Sequence, residues 1–415
     1  MRLLFPLLLI IVIDIYSFQA IKTVTQGLGP AQRKIFFGIF WSTLVLALSL
    51  MAGMLLSDFS SWPKILRNYA MAFVFIIYVS KLIMVPFVLV DDIIRLGKWI
   101  FYKASSAANE TTASGGKIKR IEFISQLALI VAAIPFTSLI YGMVYGGTDY
   151  KVRKLKLKFA SLPKAFNGLK ILQISDLHVG SFLDAQPLER AVKLINEQAA
   201  DLVFFTGDLV NNKTDEVIPF IDTLKKIRAK EGAYSILGNH DYGDYVQWES
   251  AEAKRRNMTD FYQAHKTIGW RLLRNENAIL ERGGEKIAVA GVENWGHRNH
   301  FPKYGDLDKA YNGLPENTFT ILLSHDPSHW VAQVQGHPHK AQLTLSGHTH
   351  GMQFGIDTKI LKWSPAQYVY EHWAGLYKKA QQYIYVNRGL GYLGYPGRAG
   401  IRPEITVIEL QTDEA

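Results

Sequence analysis

Four long apolar runs occupy most of the first 145 residues, at 3–21, 35–56, 70–90 and 123–145. A helix needs about 20 apolar residues to cross the hydrocarbon core of a bilayer, where it satisfies its own backbone polar groups. The runs therefore predict four transmembrane helices in a membrane region over residues 1–149. A cleaved signal peptide is the alternative for the first run. That run lacks a small-residue cleavage site and is interrupted by Asp14, so a retained helix is favoured.

Two ionisable side chains, Asp14 and Lys81, lie inside predicted spans. Ionisable groups are costly in lipid and often mark a functional site. A hydrogen bond between helices, or a side chain that reaches toward the interface, is the simpler interpretation and the favoured one.

The basic residues of this region bear on its orientation, because loops rich in Lys and Arg tend to stay in the cytoplasm. Loops 22–34 and 91–122 share one side of the membrane and are basic; the part 105–116, rich in Ser, Ala, Thr and Gly, predicts a flexible loop. A second basic cluster follows the last span, where residues 152–159 partly alternate apolar and basic types, as a strand with one wet face does. If these lysines lie on the surface of a strand, the basic loops 22–34 and 91–122 determine the orientation in the membrane, and the C-terminal domain faces away from the cytoplasm.

Residues 150–415 have the pattern of a layered α/β domain. Helices are predicted at 186–199, 214–229 and 247–266. Fully apolar runs such as 202–205 predict sheets that are covered on both faces. Strands are predicted at 170–175, 202–206, 233–237, 286–290, 319–324, 342–346, 382–386 and 404–410.

Composition excludes several classes of site. The chain has no cysteine, which rules out disulfides, thiolate metal sites and a cysteine nucleophile. The formal net charge of +10 is densest in the apolar region, where it suits anionic lipid headgroups, so we expect no nucleic-acid partner.

Five short motifs each follow an apolar run of strand length: Asp176-Leu-His178, Gly207-Asp208, Gly238-Asn-His-Asp241, Ser324-His-Asp326 and Gly347-His-Thr-His350. Layered α/β proteins gather ligand-binding groups at the carboxyl ends of their strands. Residues two apart in an extended chain share a face, so Asp176 and His178 point the same way. A carboxylate such as Asp208 can give one oxygen to each of two ions about 3.5–4 Å apart, the spacing of two-metal hydrolytic sites.

The donor types restrict the choice of metal. A mixed set of imidazole nitrogens and carboxylate oxygens suits Mn, Fe, Zn or Ni. The motifs thus predict two divalent ions that would activate water for attack on a phosphate.

In their order along the chain, these motifs resemble the calcineurin-like metallophosphoesterase superfamily, over about residues 155–412, and in particular a bacterial branch that is often membrane-tethered. The resemblance implies a four-layer α/β/β/α sandwich of two mixed sheets over residues 150–415. It also implies that one metal takes Asp176, His178, Asp208 and His350, and that the second takes Asp208, Asn239, His325 and His348. His240 would contact the phosphate as general acid or transition-state stabiliser.

Three further residues are assigned with alternatives. Asp241 either orients His240 or acts as a turn or cap carboxylate. Asn211 stands where the superfamily often has an acidic residue that holds the catalytic histidine; an amide accepts a hydrogen bond but cannot stabilise an imidazolium by charge. Arg388 matches a family position and either contacts phosphate or pairs with a carboxylate. Because Asn212 and the motif GNHD replace residues typical of Ser/Thr protein phosphatases, that activity is not expected.

An aromatic-rich stretch follows the last metal motif: Trp363, Tyr368, Tyr370, Trp373 and Tyr377. Core and loop packing is the favoured interpretation. A surface that dips into the lipid headgroups is the alternative.

Together these features predict an integral membrane phosphoesterase, located by its resemblance in a bacterial inner membrane, that cleaves a phosphomonoester, phosphodiester or pyrophosphate bond. Tethering favours an amphiphilic substrate, such as a lipid-linked phosphate or a nucleotide-sugar lipid precursor. The alternatives are a non-catalytic metallophosphoesterase scaffold that binds or regulates a membrane partner, and a channel or transporter with an accessory domain. The oligomeric state is left open.

Overall fold

The computed structural model describes residues 4–57, 59–104, 120–298 and 301–413. The predicted flexible loop at 105–116 lies outside these residues. The chain divides into two compact units, Met1–Tyr141 and Gly142–Ala415.

The N-terminal region is helical. Its helices are α1 (Leu4–Val24), α2 (Pro30–Leu56), α3 (Lys64–Ala104) and α4 (Arg120–Val144), and each predicted apolar run overlaps one of them. Among the residues that the structure describes, three segments have the length and apolar composition to cross a bilayer: Pro30–Leu56, Lys64–Phe101 and Ile121–Val144. The chain is therefore a membrane protein.

The two ionisable residues of this region contact each other. Lys81 on α3 forms a buried ion pair with Asp14 on α1. The Tyr78 hydroxyl also donates to Asp14 Oδ2, at 2.8 Å. A contact between helices, the simpler interpretation of these two residues, is confirmed.

The second unit contains two six-stranded sheets. The strands of this unit are β1 (Lys151–Phe159), β2 (Lys170–Ile174), β3 (Leu202–Phe205), β4 (Ala233–Ser235), β5 (Arg271–Leu272), β6 (Glu276–Arg282), β7 (Glu285–Gly291), β8 (Thr320–Leu323), β9 (Leu343–Ser346), β10 (Ile356–Asp357), β11 (Lys362–Trp363), β12 (Gly375–Lys379), β13 (Gln382–Val386) and β14 (Glu404–Thr412). The first sheet has the strand order β1-β14-β2-β3-β4-β5, and the second has the order β12-β13-β9-β8-β7-β6. The helices are α5 (Gln186–Asn196), α6 (Ile221–Leu224), α7 (Ala251–Ile268), α8 (Leu307–Ala310) and α9 (Ser328–Ala332).

Three apolar cores explain why the central strands are apolar on both faces. One lies between the two sheets and includes Phe204 and Leu345. A second joins the other face of the first sheet, including Phe205, to α5 and α7. A third packs α8 and α9 on the second sheet and includes Trp330. These layers confirm the predicted α/β/β/α sandwich.

The eight predicted strands are all present, and the lysines of β1 at 154, 156 and 158 are exposed, as expected for a strand with one wet face. The continuous helix predicted at 214–229 is wrong. Two short 3₁₀ turns and the four-residue α6 replace it. Pro219 cannot donate a helical hydrogen bond. The Glu216 carboxylate, moreover, binds the backbone before it instead of lying along a helix.

Candidate metal and catalytic centre

The five motifs meet at one edge of the two sheets. β2 leads to Asp176 and His178, β3 to Asp208, β4 to Asn239, β8 to His325, and β9 to His348 and His350. Because these strands are parallel to their neighbours within each sheet, their carboxyl ends lie together.

The backbone of the site is strained. The φ angles of Asp176, His178, Asp208, His348 and His350 lie between 45° and 71°, in the left-handed region. Residues other than glycine rarely adopt this conformation, which costs of order 1–3 kcal/mol each and tends to cluster at functional sites. The glycines before Asp208 and His348 permit the close approach of chains: a Cβ on Gly347 would lie 2.2 Å from Asp176 Oδ2.

The first cluster of potential ligands joins Asp176, His178 and His350, all buried. His178 Nε2 lies 3.1 Å from His350 Nε2, and His350 Nε2 lies 3.3 Å from Asp176 Oδ1. The second cluster joins Asp208, His325 and His348. His348 Nδ1 lies 3.3 Å from His325 Nε2 and 2.8 Å from Asn239 Oδ1.

Asp208 connects the two clusters. Its Oδ2 lies 3.5 Å from His178 Nε2 and 3.2 Å from His325 Nε2. Burial opposes ionisation of Asp208, but His325 and the neighbouring imidazoles hold the pKa of its carboxyl well below the usual range. Burial likewise disfavours a charged His325, yet Asp208 and Asp176 raise the pKa of His325 to about 10.

These residues fit divalent metal ions. Ring nitrogens that face each other at 3.1 and 3.3 Å cannot both carry a proton, and the carboxylates beside them attract positive charge. Such a convergence of imidazole nitrogen and carboxylate oxygen atoms is the donor set of Mn, Fe, Zn or Ni.

His240 lies beside the clusters. Its ring contacts that of His178, with centroids 5.0 Å apart, and its backbone N–H donates to Asp208 Oδ1 at 2.9 Å. Its Nδ1–H donates to the backbone carbonyl of Asn211 at 2.7 Å. Burial lowers the pKa of His240 to about 4.

Asn211 thus supports His240 through its main chain and not through its amide. Its amide instead donates to Ser181 Oγ at 3.0 Å. The loop that presents the carbonyl is held by Glu216, whose carboxylate accepts from the backbone N–H of Asn211, Asn212 and Lys213 at 2.6, 3.1 and 3.2 Å. Sequence reasoning missed Glu216, because a lone acidic residue after a polar loop has no distinguishing pattern.

Asp241 binds backbone rather than the ring of His240. Its buried carboxylate accepts from the N–H groups of Asp208, Leu209, Val210 and Gly238 at 2.8–3.2 Å. Burial and the nearby Asp208 raise the pKa of Asp241 to about 7. The Asp241 carboxylate thus holds the loop that carries Asp208.

Arg388 lies in a buried ion cluster. Its Nη1 lies 2.6 Å from Glu404 Oε2, and its Nε lies 3.0 Å from Asp357 Oδ2. The guanidinium thus pairs with two carboxylates.

Another arginine, Arg398, reaches the site instead. Its buried guanidinium donates to the backbone carbonyls of Gly391 and Arg388, both at 2.8 Å, and lies 3.1 Å from His350 Nδ1. Sequence reasoning missed it, since Arg398 belongs to none of the motifs.

A cavity of about 210 Å³ lies beside the second cluster. Apolar walls from Pro327, Val331 and Val369 face Arg298 and Tyr370. The Tyr370 hydroxyl is 2.8 Å from His348 Nε2, so the cavity adjoins a potential metal ligand.

Comparison with known proteins gives two family matches. Residues 1–147 match the family "Probable Calcineurin-like phosphoesterase, transmembrane domain", and residues 169–352 match "Calcineurin-like phosphoesterase". The chain is 31% identical over 326 residues to "Transmembrane protein with metallophosphoesterase domain" of Danio rerio, covering 76% of this chain and 68% of the relative. It is also 31% identical over 309 residues to "Uncharacterized metallophosphoesterase YkuE" of Bacillus subtilis, covering 71% of this chain and 99% of the relative. Among solved structures, phosphopantetheinyl hydrolase from Mycobacterium tuberculosis has a TM-score of 0.33 at 13% identity, covering 55% of this chain and 91% of that one.

Proposed function

The chain belongs to the calcineurin-like phosphoesterase family of phosphoric ester hydrolases, and from that premise we propose that it is a membrane-anchored enzyme with a dinuclear metal centre. Asp176, His178, Asp208 and His350 would hold one ion. Asp208, Asn239, His325 and His348 would hold the other. The observation that carries the proposal is the position of Asp208 Oδ2, within 3.5 Å of an imidazole from each cluster.

Two divalent ions at these ligands would neutralise a bound phosphate group and lower the pKa of the attacking water. The protein itself supplies His240. With Nδ1–H donated to the Asn211 carbonyl, Nε2 is the ring nitrogen left for the substrate. A neighbouring phosphate raises the pKa of an imidazole by its negative charge, so His240 can take up a proton as substrate binds and pass it to the leaving oxygen.

We propose an amphiphilic substrate, such as a lipid-linked phosphate or a nucleotide-sugar lipid precursor. The membrane-spanning helices in the same chain support this class. The cavity beside His348 supports it too, because its walls are largely apolar while Arg298 offers a cation for a phosphate.

For the location we propose a cell membrane, the bacterial inner membrane in a bacterial host, with the catalytic unit on the side away from the cytoplasm. The lysines of β1 are exposed strand residues, which leaves the basic residues within 22–34 and 91–122 as the determinant of orientation.

Hydrolysis by the full chain in detergent tests the proposal. p-Nitrophenyl phosphate and bis-p-nitrophenyl phosphate would be compared with Mn²⁺ added or chelated, for the wild type, Asp208→Asn and the exposed control Asp222→Asn. We expect Mn²⁺-dependent activity that only Asp208→Asn abolishes. The ratio of the two rates separates monoesterase from diesterase activity.

The second candidate, a non-catalytic scaffold, predicts a different result. A folded protein that binds no metal by elemental analysis and hydrolyses neither compound would support it. Two bound metals without hydrolysis would instead indicate a narrow substrate range, to be tested with lipid phosphates in mixed micelles.

A further inference from the structure

A short hairpin after the metal motif His348-Thr-His350 presents apolar side chains to solvent. It consists of β10 and β11, paired antiparallel, with the turn 358–361 at its tip. Ile360 at the tip is 99% exposed, and Leu361 beside it is 51% exposed. Exposed isoleucine and leucine at adjacent positions are unfavourable in water, and they often mark an interaction surface.

The tip is a defined turn and not a loose loop. The Thr358 N–H donates to the Leu361 carbonyl at 3.0 Å, and the Thr358 hydroxyl accepts from the N–H of Ile360 and Leu361 at 3.3 and 3.0 Å. At its base, Asp357 pairs with the buried Arg388 and with Arg153. The fold therefore holds the two apolar side chains outward.

The residues around the tip are those favoured where a membrane meets water. The Trp363 indole N–H donates to the hydroxyl of Tyr368, which is 75% exposed, and Lys359 at the tip is exposed. Tryptophan and tyrosine concentrate at the headgroup level, and lysine is attracted by anionic lipid.

The base of the hairpin is tied to the C-terminal end of the last candidate span. The Gly355 N–H donates to the Ala399 carbonyl at 2.9 Å, and the adjacent Arg398 N–H donates to the Gly142 carbonyl at 3.0 Å. Gly142 is the first residue of the second unit and lies near the end of the span Ile121–Val144. Five extended residues reach at most about 17 Å, so Ile360 lies within that distance of the hairpin base.

We propose that this hairpin inserts Ile360 and Leu361 into the interfacial region of the bilayer, as a contact of the catalytic unit with lipid in addition to the transmembrane helices. The bilayer is the occupant that the position favours, because the chain itself leaves the membrane next to the hairpin base. Only a few residues separate the hairpin from His350, so insertion would bring the metal site close to the lipid surface. The proposal concerns location alone and does not depend on the chemistry of the site.

The absence of cysteine makes a direct test possible in the full chain. Ile360→Cys and, separately, Leu361→Cys would be labelled with a nitrobenzoxadiazole fluorophore and placed in nanodiscs of phosphatidylcholine and phosphatidylglycerol. Ile279→Cys is the matched control: Ile279 is 45% exposed and lies on β6, at the opposite edge of the second sheet from β12. Quenching by lipid-borne nitroxide would be compared with quenching by aqueous iodide.

We expect nitroxide lipid to quench the labels at 360 and 361 at least twofold more than the label at 279, and iodide to quench them at least twofold less. Equal quenching at all three positions would overturn the proposal. So would a shielding from iodide that disappears when each nanodisc holds a single chain, since it would show that a second copy covers the tip. Neither measurement uses hydrolysis, so its failure is distinct from failure of the proposed function.

Discussion

The support of His240 by a main-chain carbonyl leads to a contrast between two substitutions. Asn211→Ala removes the amide but keeps the carbonyl that accepts from His240 Nδ1–H. The amide bonds to Ser181 Oγ, and a half-buried neutral hydrogen bond contributes about 1 kcal/mol or less to stability. We therefore expect kcat to stay within about threefold of the wild type, since about 1.4 kcal/mol corresponds to tenfold in rate.

Glu216→Gln should have the larger effect. The carboxylate accepts three backbone N–H groups, and a glutamine can offer one oxygen to them while its NH₂ group faces a donor. Each hydrogen bond to a charged group contributes about 1.5–3 kcal/mol to stability. Because Glu216 is partly exposed, we expect the substitution to cost about 2 kcal/mol in total. If this whole free-energy loss is spent on displacing the Asn211 carbonyl and so raises the activation barrier, kcat falls about 30-fold.

The assay is steady-state hydrolysis of p-nitrophenyl phosphate with Mn²⁺, with metal content measured in each variant. Asp215→Asn, an exposed neighbour, is the control. A positioning effect on His240 should lower kcat and change the pH profile while KM and metal content stay within about twofold of the wild type. The reasoning is refuted if Asn211→Ala loses tenfold or more while Glu216→Gln resembles the wild type.

Four further predictions concern stability and metal binding. Burial lowers the pKa of His265 to about 3, so below pH 6.5 the unfolded chain binds a proton that the folded chain does not. The contribution of His265 to stability is therefore full above about pH 7 and falls by about 2 kcal/mol at pH 5. His265→Gln should flatten this pH dependence in thermal unfolding. Arg388→Gln removes the closer of the two arginines that pair with the buried Glu404, while Arg153 still contacts it at 3.3 Å, and should cost about 3 kcal/mol, seen as a lower melting temperature with KM unchanged. Arg398→Gln removes the guanidinium that donates to the Gly391 and Arg388 carbonyls beside His350, and the loss of this support should weaken metal binding about 10-fold, as measured by Mn²⁺ titration. Chelation should lower the melting temperature, because metal at about 100 times Kd stabilises by about 2.7 kcal/mol, and Asp208→Asn should abolish that difference.

The strands were predictable because a strand between two layers has to be apolar on both faces, and runs such as Leu202–Phe205 have this property. The region 214–229 was not predictable in the same way. Its apolar residues recur at helical spacing, but Pro219 and the local bonds of Glu216 decide the backbone there. Hydrophobic periodicity indicates which face of a segment is buried. It does not detect side chains that compete for the local backbone hydrogen bonds.

The convergence of the candidate metal ligands was predictable because each follows a strand directly, so chain order and strand order together bring them to one edge. The residues that support these ligands were not predictable. Arg398 reaches His350 across 48 positions, and Arg388 meets Glu404 across 16, with no regular spacing to signal either contact. Arg388 was left with two alternatives because an arginine near a predicted site pairs equally well with phosphate or carboxylate, and only the neighbours decide.

The same distinction bears on the choice between an enzyme and an inert scaffold. Five of the seven proposed metal ligands have left-handed backbone, and both Asp176 and Asp208 are buried. Each of these features destabilises the fold unless something offsets it. A scaffold that only binds a partner could replace Asp208 with an apolar residue and keep its layers, since the three cores do not include it. Retention of the strained, charged arrangement, together with Asp241 and Glu216 holding its loops, therefore favours a hydrolase in which bound cations compensate the buried charge.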